Sequence, residues 1–325
     1  MRGAARRRSA GRSPTFTACR SALSGRAIGA RGTPVDQFSF REDGADGVLK
    51  VLVRSAAGGD AMFQPEASRG ATALLRVPLR KVGDGSREAA QTRYRPLPAL
   101  GPDSYQRRNR FVGDHLLYGS GNDFDDGARA ADPLVVVPVR GGPVARLRLP
   151  HGVGRIEAIG GDALVVGGRD GALNFSAVDL GGRGVRLGDR YTLPAASEGE
   201  SRSHAFYFNP VNADGSSGIM GLPVAREADP AYQRFFGSSA AMLFLRRQDR
   251  RFSPAGELAA QPRNVVEDGC QASCVDWYGN ARPIFLGGRT FALLGYELVE
   301  GQLIGGRVRE IGRVDFAPRG SPDKR

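Results

Sequence analysis

From Thr33 onward, apolar residues fall in short runs separated by Gly, Pro, Asp and Asn. Many runs alternate with period two, the spacing of a β-strand with one buried face. Residues 37–40 and 48–53 flank an Asp/Gly loop and read as a hairpin; a third strand is expected at 73–79. Residues 82–106 are polar and carry Pro, and read as a loop. Further strands are expected at 110–118, 133–139, 145–149, 153–159, 163–166, 171–180 and 185–193. The second half repeats the habit at 204–208, 218–224, 240–245, 250–258, 283–286, 290–296 and 302–316. The run Ala163-Leu164-Val165-Val166 enters Gly167-Gly168 directly and is apolar at every position. A strand of that kind must be covered on both faces, as in sheets stacked around an axis. The fold class expected is therefore all-β, a β-propeller, with a two-sheet sandwich as the alternative.

The 46 glycines among 325 residues have no three-residue period, so they read as turn residues and exclude collagen. The formal charge of +12 suggests a nucleic-acid partner, but its distribution argues otherwise. Residues 1–35 hold eight Arg and no acidic residue; the rest has 38 basic against 34 acidic side chains. The body is mildly basic, and no nucleic acid is expected as a partner. Its cations are nearly all Arg, with Lys only at Lys50, Lys81 and Lys324, as a GC-rich coding sequence would give. No run approaches the roughly 18 apolar residues of a membrane span, and no apolar stretch of a signal peptide follows Arg6-Arg7-Arg8. Domain organisation follows: residues 1–34 a disordered basic segment outside the fold, 35–318 the β domain, 319–325 a disordered tail.

Several segments resemble the bacterial secreted proteins with a C-terminal β-propeller domain distantly related to WD repeats. The resemblance begins at Gly32-Thr33-Pro34-Val35-Asp36-Gln37-Phe38-Ser39-Phe40 with Val48-Leu49-Lys50-Val51 after it. It continues in order through Asp132-Pro133-Leu134-Val135-Val136-Val137 and Pro143 to Gly152. It reaches Ser203-His204-Ala205-Phe206 and then Ile219-Met220-Gly221-Leu222-Pro223-Val224. It implies a propeller and an extracellular or periplasmic location, and supplies no catalytic motif. About eighteen candidate strands suffice for four or five blades, fewer than the family's domain holds, so an N-terminally truncated ring is expected.

An exported location favours a disulfide between Cys270 and Cys274, with Cys19 in the basic segment. Two free thiols, or half of a zinc site, are the alternatives. Zinc would need two further ligands, and the histidines are only His115, His151 and His204. Asp123, Asp125 and Asp126 in a Gly-flanked loop offer hard oxygen ligands to a cation, though without the spacing of a twelve-residue calcium loop. A solvated acidic turn is the plainer reading. No G-x-S-x-G elbow is present, and Gly215-Ser216-Ser217-Gly218 reads as a turn. His204, near Ser201 and Ser203, reads as the start of an apolar strand, and His151 as a turn residue. Glu157, Glu297 and Glu300 stand singly. Trp277-Tyr278-Gly279-Asn280 reads as a blade-closing aromatic turn, or as a stacking platform for a ring. No phosphate-cradling glycine motif is present, and no cofactor and no metal are expected. The functional expectation is a non-enzymatic scaffold for a protein or polymer ligand. The alternative is a propeller hydrolase or lyase with its site in the central channel.

Overall fold

The computed structural model describes residues 15–18, 26–44, 46–55, 71–100, 106–121, 133–182, 184–227, 238–261 and 281–316. The regular structure of the described residues is almost all strand, with four short 3-10 turns, and the chain divides into two compact units, residues 1–111 and 112–325. No helix among the described residues is long and apolar enough to cross a membrane.

The first unit contains β1 (Thr15–Ala18), β2 (Arg26–Gly29), β3 (Thr33–Pro34), β4 (Phe40–Asp43), β5 (Val48–Arg54), β6 (Thr72–Pro78), β7 (Asp84–Glu88) and β8 (Tyr94–Leu97). The main sheet is ordered β3-β5-β6-β8, with β4 also on β5. β4 and β5 form the hairpin that the alternation predicts, Phe40 opposite Val51. Val51, Val53, Leu75 and Val77 are buried on one face of this sheet, together with Ile28, Ala30, Val82 and Ala89.

Two expectations fail here. Residues 1–34 do not lie wholly outside the fold: β2 pairs with β1 and runs parallel to β7, and Ile28 is 4% exposed. A parallel partner more than fifty residues downstream leaves no local signal, and Ala27-Ile28 is too short a run to show a period. The loop expected at 82–106 contains β7 and β8. β7 reads Asp-Gly-Ser-Arg-Glu and is largely exposed, so neither face carries the apolar alternation that marks a strand.

The second unit is a series of antiparallel meanders. β9 (Gln106–Val112), within which the division between units falls, precedes β10 (His115–Gly121), β11 (Leu134–Pro138) and β12 (Ala145–Leu147) in a sheet ordered β12-β11-β10-β9. β13 (Arg155–Ile159), β14 (Asp162–Arg169), β15 (Ala172–Asp179) and β16 (Arg186–Pro194) form the next sheet in chain order. Then come β17 (Ala196–Glu198), β18 (Tyr207–Pro210), β19 (Gly218–Glu227), β20 (Ser238–Gln248) and β21 (Arg251–Ala259), followed by β22 (Ala281–Leu286), β23 (Arg289–Leu294), β24 (Glu297–Ile304) and β25 (Arg307–Asp315).

Each sheet packs on the next. Alternate residues of β14 face opposite neighbours: Ala163 and Val165 pack with Leu117, Leu134 and Val136, while Leu164 and Val166 pack with Met220, Leu222 and Val224. β20 behaves likewise, with Leu243 and Leu245 turned to the β13–β16 sheet and Met242 and Phe244 to Ala292 and Val299. A sandwich covers one face of each sheet, whereas these inner sheets are covered on both. The sheets are propeller blades. Five sheets of four or five strands lie among the described residues, in line with the four or five blades expected. Residues 302–316, read as one closing run, are in fact the end of β24 and all of β25, turned at Gly305-Gly306, both with positive φ.

Burial of Ile28 makes β2 part of the stable unit. Ile28→Ala should lower the unfolding free energy by about 2–5 kcal/mol, read by chemical denaturation. A change within error would mean that the segment adds nothing to the core.

Candidate functional site

His151 lies in the loop between β12 and β13 and is fully buried. Its Nδ1 is 2.7 Å from the Gly152 carbonyl, which can only accept, so Nδ1 carries the proton. Nε2 therefore accepts from the Ser176 hydroxyl on β15, at 2.8 Å. Burial pushes the His151 pKa down, the Gly152 bond opposes that, and Arg190 adds to the depression. The result is a neutral imidazole with both nitrogens engaged.

The loop reaches this position because Gly167 has no side chain. A Cβ there would stand 2.0 Å from the Gly152 oxygen and 3.0 Å from His151 Nδ1. The glycine at the end of the apolar run on β14 is thus where a neighbouring loop crosses the strand. Gly121 on β10 admits the next residue of that loop in the same way, since its Cβ would lie 2.6 Å from the Val153 carbonyl carbon.

Beside the pair is a polar cavity of about 490 Å³ lined by Pro150, Asn174, Ser176, Arg190 and Thr192. Asn174 Oδ1 accepts from the Thr192 hydroxyl at 2.9 Å, and Arg190 is exposed. A Ser–His hydrogen bond is the arrangement that activates a nucleophile. Ser176 lines that cavity but is 1% exposed, with its hydroxyl bound to His151, so it presents almost no surface to an incoming carbonyl. Chemically the pair fastens the 148–154 loop to the third strand of its blade.

The other buried polar groups also tie strands together. Arg155 on β13 is bound by Glu157 and Glu198 and donates to the Glu200 and Arg202 carbonyls. Burial works against its charge, and the two carboxylates more than offset that, raising its pKa above the ordinary guanidinium value. Arg247 on β20 donates to Asp162 at 2.7 Å and to the carbonyls of Ile159 and Gly215 at 3.0 and 2.8 Å. Glu297 accepts from the Gln261 amide and lies 2.8 Å from Arg313. In the first unit, Asn109 donates to Asp36 and Ser39. Desolvation raises the Asp36 pKa against the bonds from Phe38 and Asn109.

The residues singled out in the sequence do not converge. Glu157 and Glu297 are buried in separate ion pairs, and Glu300 sits at the surface with Arg289 at 2.7 Å. His115 is half-buried at the start of β10; burial lowers its pKa and Asp114 raises it. His204 is exposed on a 3-10 turn, Ser203–Ala205, and does not begin a strand. Ser216 and Ser217 form the β18–β19 turn with Asn212 and Asp214. Cys19, Cys270, Cys274, Trp277, Tyr278, Asp123, Asp125 and Asp126 lie outside the described residues, as does the 319–325 tail. Among the described residues, no group of three or more His, Cys, Asp or Glu side chains gathers as a metal site would require.

No protein-family model matches the sequence, and no curated protein matches it. Among solved structures, the chain is similar to the Pyrococcus horikoshii acylaminoacyl peptidase at 12% identity, with a TM-score of 0.34 over 87% of this chain and 48% of that one. The chain thus spans about half the length of that peptidase. It is similar to the β-propeller domain of the Trilobed protease from Pyrococcus furiosus at 10% identity, with a TM-score of 0.33 over 82% of this chain and 80% of that one. It is also similar to the AfRom2 CNH domain at 10% identity, with a TM-score of 0.32 over 93% of this chain and 89% of that one.

The Ser176–His151 bond has a pH signature. An unfolded histidine titrates near 6.5 and the folded value lies below it, so the unfolded chain binds more protons across that window. The neutral ring's contribution is complete above the unfolded value and is lost as pH falls through the folded one. Melting temperature should fall more steeply from about pH 7 to about pH 5 in the native protein than in His151→Gln. Ser176→Ala should cost about 1–3 kcal/mol at neutral pH through the orphaned Nε2, measured by denaturant titration. Equal slopes would remove His151 from the acid response.

Proposed function

We propose that the chain is a non-enzymatic, exported β-propeller that offers a rigid surface to a protein or polymer ligand, and that it belongs with the bacterial secreted propeller proteins it resembles. The observation that carries this reading is the use made of the buried polar groups. Arg155, His151, Asp162, Arg247 and Glu297 each bind a neighbouring strand, turn or backbone carbonyl, and Glu157 braces Arg155 within its strand. Groups held in that way stiffen a frame, and a stiff frame loses little entropy when its surface loops take a ligand. Fold alone leaves function open, so the exported location and the class of ligand rest on the resemblance.

A second reading, a propeller hydrolase, draws on Ser176 and His151 at 2.8 Å beside a cavity of about 490 Å³. The burial of Ser176 weighs against it, because an acyl-transfer nucleophile must meet its substrate.

A fluorophosphonate probe separates the two. The scaffold reading expects no adduct on Ser176 by peptide mass mapping after prolonged incubation. Labelling of Ser176 that disappears in His151→Gln would overturn it in favour of the hydrolase. The exported location has its own check. Protein refolded under oxidising conditions should yield a tryptic peptide with Cys270 linked to Cys274 and Cys19 alkylated, and alkylation of all three would remove that support.

A further inference from the structure

In the first unit the segment from Leu79 to Ala89 turns one short stretch of chain into a cationic recess. Its ends are fixed. The Leu79 amide donates to the Gly47 carbonyl at 2.8 Å and the Ala89 amide to the Gly29 carbonyl at 2.8 Å, while Val82 and Ala89 are buried. Gly83 exchanges both backbone bonds with Ala27, at 3.0 and 2.6 Å. Between these anchors a cavity of about 370 Å³ is lined by Arg80, Lys81, Asp84, Ser86 and Arg87, with glycines at 83 and 85.

The charges in the recess do not balance. Among the described residues Asp84 is the one carboxylate lining it, and Asp84 Oδ1 accepts from the Ser86 hydroxyl at 2.6 Å and from the Ser86 amide at 3.0 Å. These bonds, opposed by slight desolvation and helped by Arg87, hold its pKa below the usual carboxylate value. Asp84 is thus satisfied within its own strand. Among the described residues no hydrogen bond or ion pair engages the Arg80, Lys81 or Arg87 side chains. Elsewhere in the protein arginine is repeatedly paired, at Arg155, Arg226, Arg247, Arg289 and Arg313. Three cations against one engaged carboxylate, around an open recess on a pinned segment, suit an anion with more than one charge. Arg forks match tetrahedral oxygens two at a time, and Lys adds a point charge.

We propose that this recess binds a phosphate group, either free phosphate or the phosphate of a small organic monoester. Nothing in the proposal depends on the scaffold reading, because the recess would bind phosphate in an enzyme as well.

The test is a titration of the full-length protein with inorganic phosphate, followed by the amide resonances of Gly83, Gly85 and Ser86 at low ionic strength. A parallel titration uses glucose 6-phosphate, and sodium chloride at matched ionic strength is the control. Saturable shifts with either phosphate and none with chloride are expected, and the tighter ligand identifies the source. Arg80→Ser, Lys81→Ser and Arg87→Ser should each weaken binding about fivefold, and Arg146→Ser, an exposed cation of the other unit, should leave it unchanged. All four positions are at the surface, and unchanged far-ultraviolet circular dichroism confirms folding. Equal shifts with chloride, linear shifts without saturation, or indifference to the three substitutions would overturn the site.

Discussion

The fully buried guanidinium of Arg247 is the contact on which the order of the second unit most depends. It leaves β20 in one blade and crosses to the β13–β14 turn of the blade before, where it meets Asp162 and the Ile159 carbonyl. A third bond to Gly215 takes in the β18–β19 turn of its own blade. Apolar packing between blades is non-directional and tolerates sliding, because one Val or Leu pocket resembles the next. A buried ion pair does not tolerate sliding. Shifting one blade by a residue would part Arg247 from Asp162 and from the Ile159 carbonyl, and losing one member of a buried pair alone costs about 3–5 kcal/mol. The bond therefore selects one register among the packings that the hydrophobic faces would accept.

The same reasoning accounts for what the sequence discloses. β14 reads as a strand with both faces covered because every position in its centre is apolar, and in β14 and β20 alike packing with two neighbours uses both sets of side chains. Gly167 is visible as a glycine at the end of such a strand, but its cause is not, since the loop that crosses it lies fifteen residues away. β2 and β7 are invisible for a different reason. One has a single strongly apolar residue and the other has none, and their parallel pairing depends on what Val82 and Ala89 anchor beside them. Local pattern reports what a strand needs from its faces. It is silent about strands held by backbone bonds.

The candidate site is less legible still. His151 reads as a turn histidine and Ser176 draws no attention, because a serine inside an apolar strand looks like a weak core position. The signal is present in combination. Asn174 and Ser176 alternate with Leu173, Phe175 and Ala177 on β15, two polar positions in a run otherwise apolar from Ala172 to Val178. A polar side chain buried there needs a partner from outside the sheet. Among the described residues it is the loop carrying His151 that reaches Ser176, and sequence separation conceals that.

The arginine-rich composition takes on a different meaning in this light. A GC-rich coding sequence explains why cations are Arg and does not explain where they are. Arg155 and Arg247 each reach one or two carboxylates and two backbone carbonyls from a buried position, and Arg313 pairs with Glu297 and Glu310 at 7% side-chain exposure. A planar fork with five donors can serve several acceptors in fixed directions, where an ammonium of the same reach would serve three at most and hold its water more tightly. Lys50, the one buried lysine among the described residues, makes the simpler contact, to Asp43 at 2.8 Å within a single hairpin. Much of the positive charge thus belongs to the interior and to paired edges, where it holds blades and turns in register. Each such pair takes one cation and one carboxylate out of play together and leaves the formal charge of +12 unchanged, so the excess rests on cations without a carboxylate partner, and the cationic trio on the Leu79–Ala89 segment is of that kind.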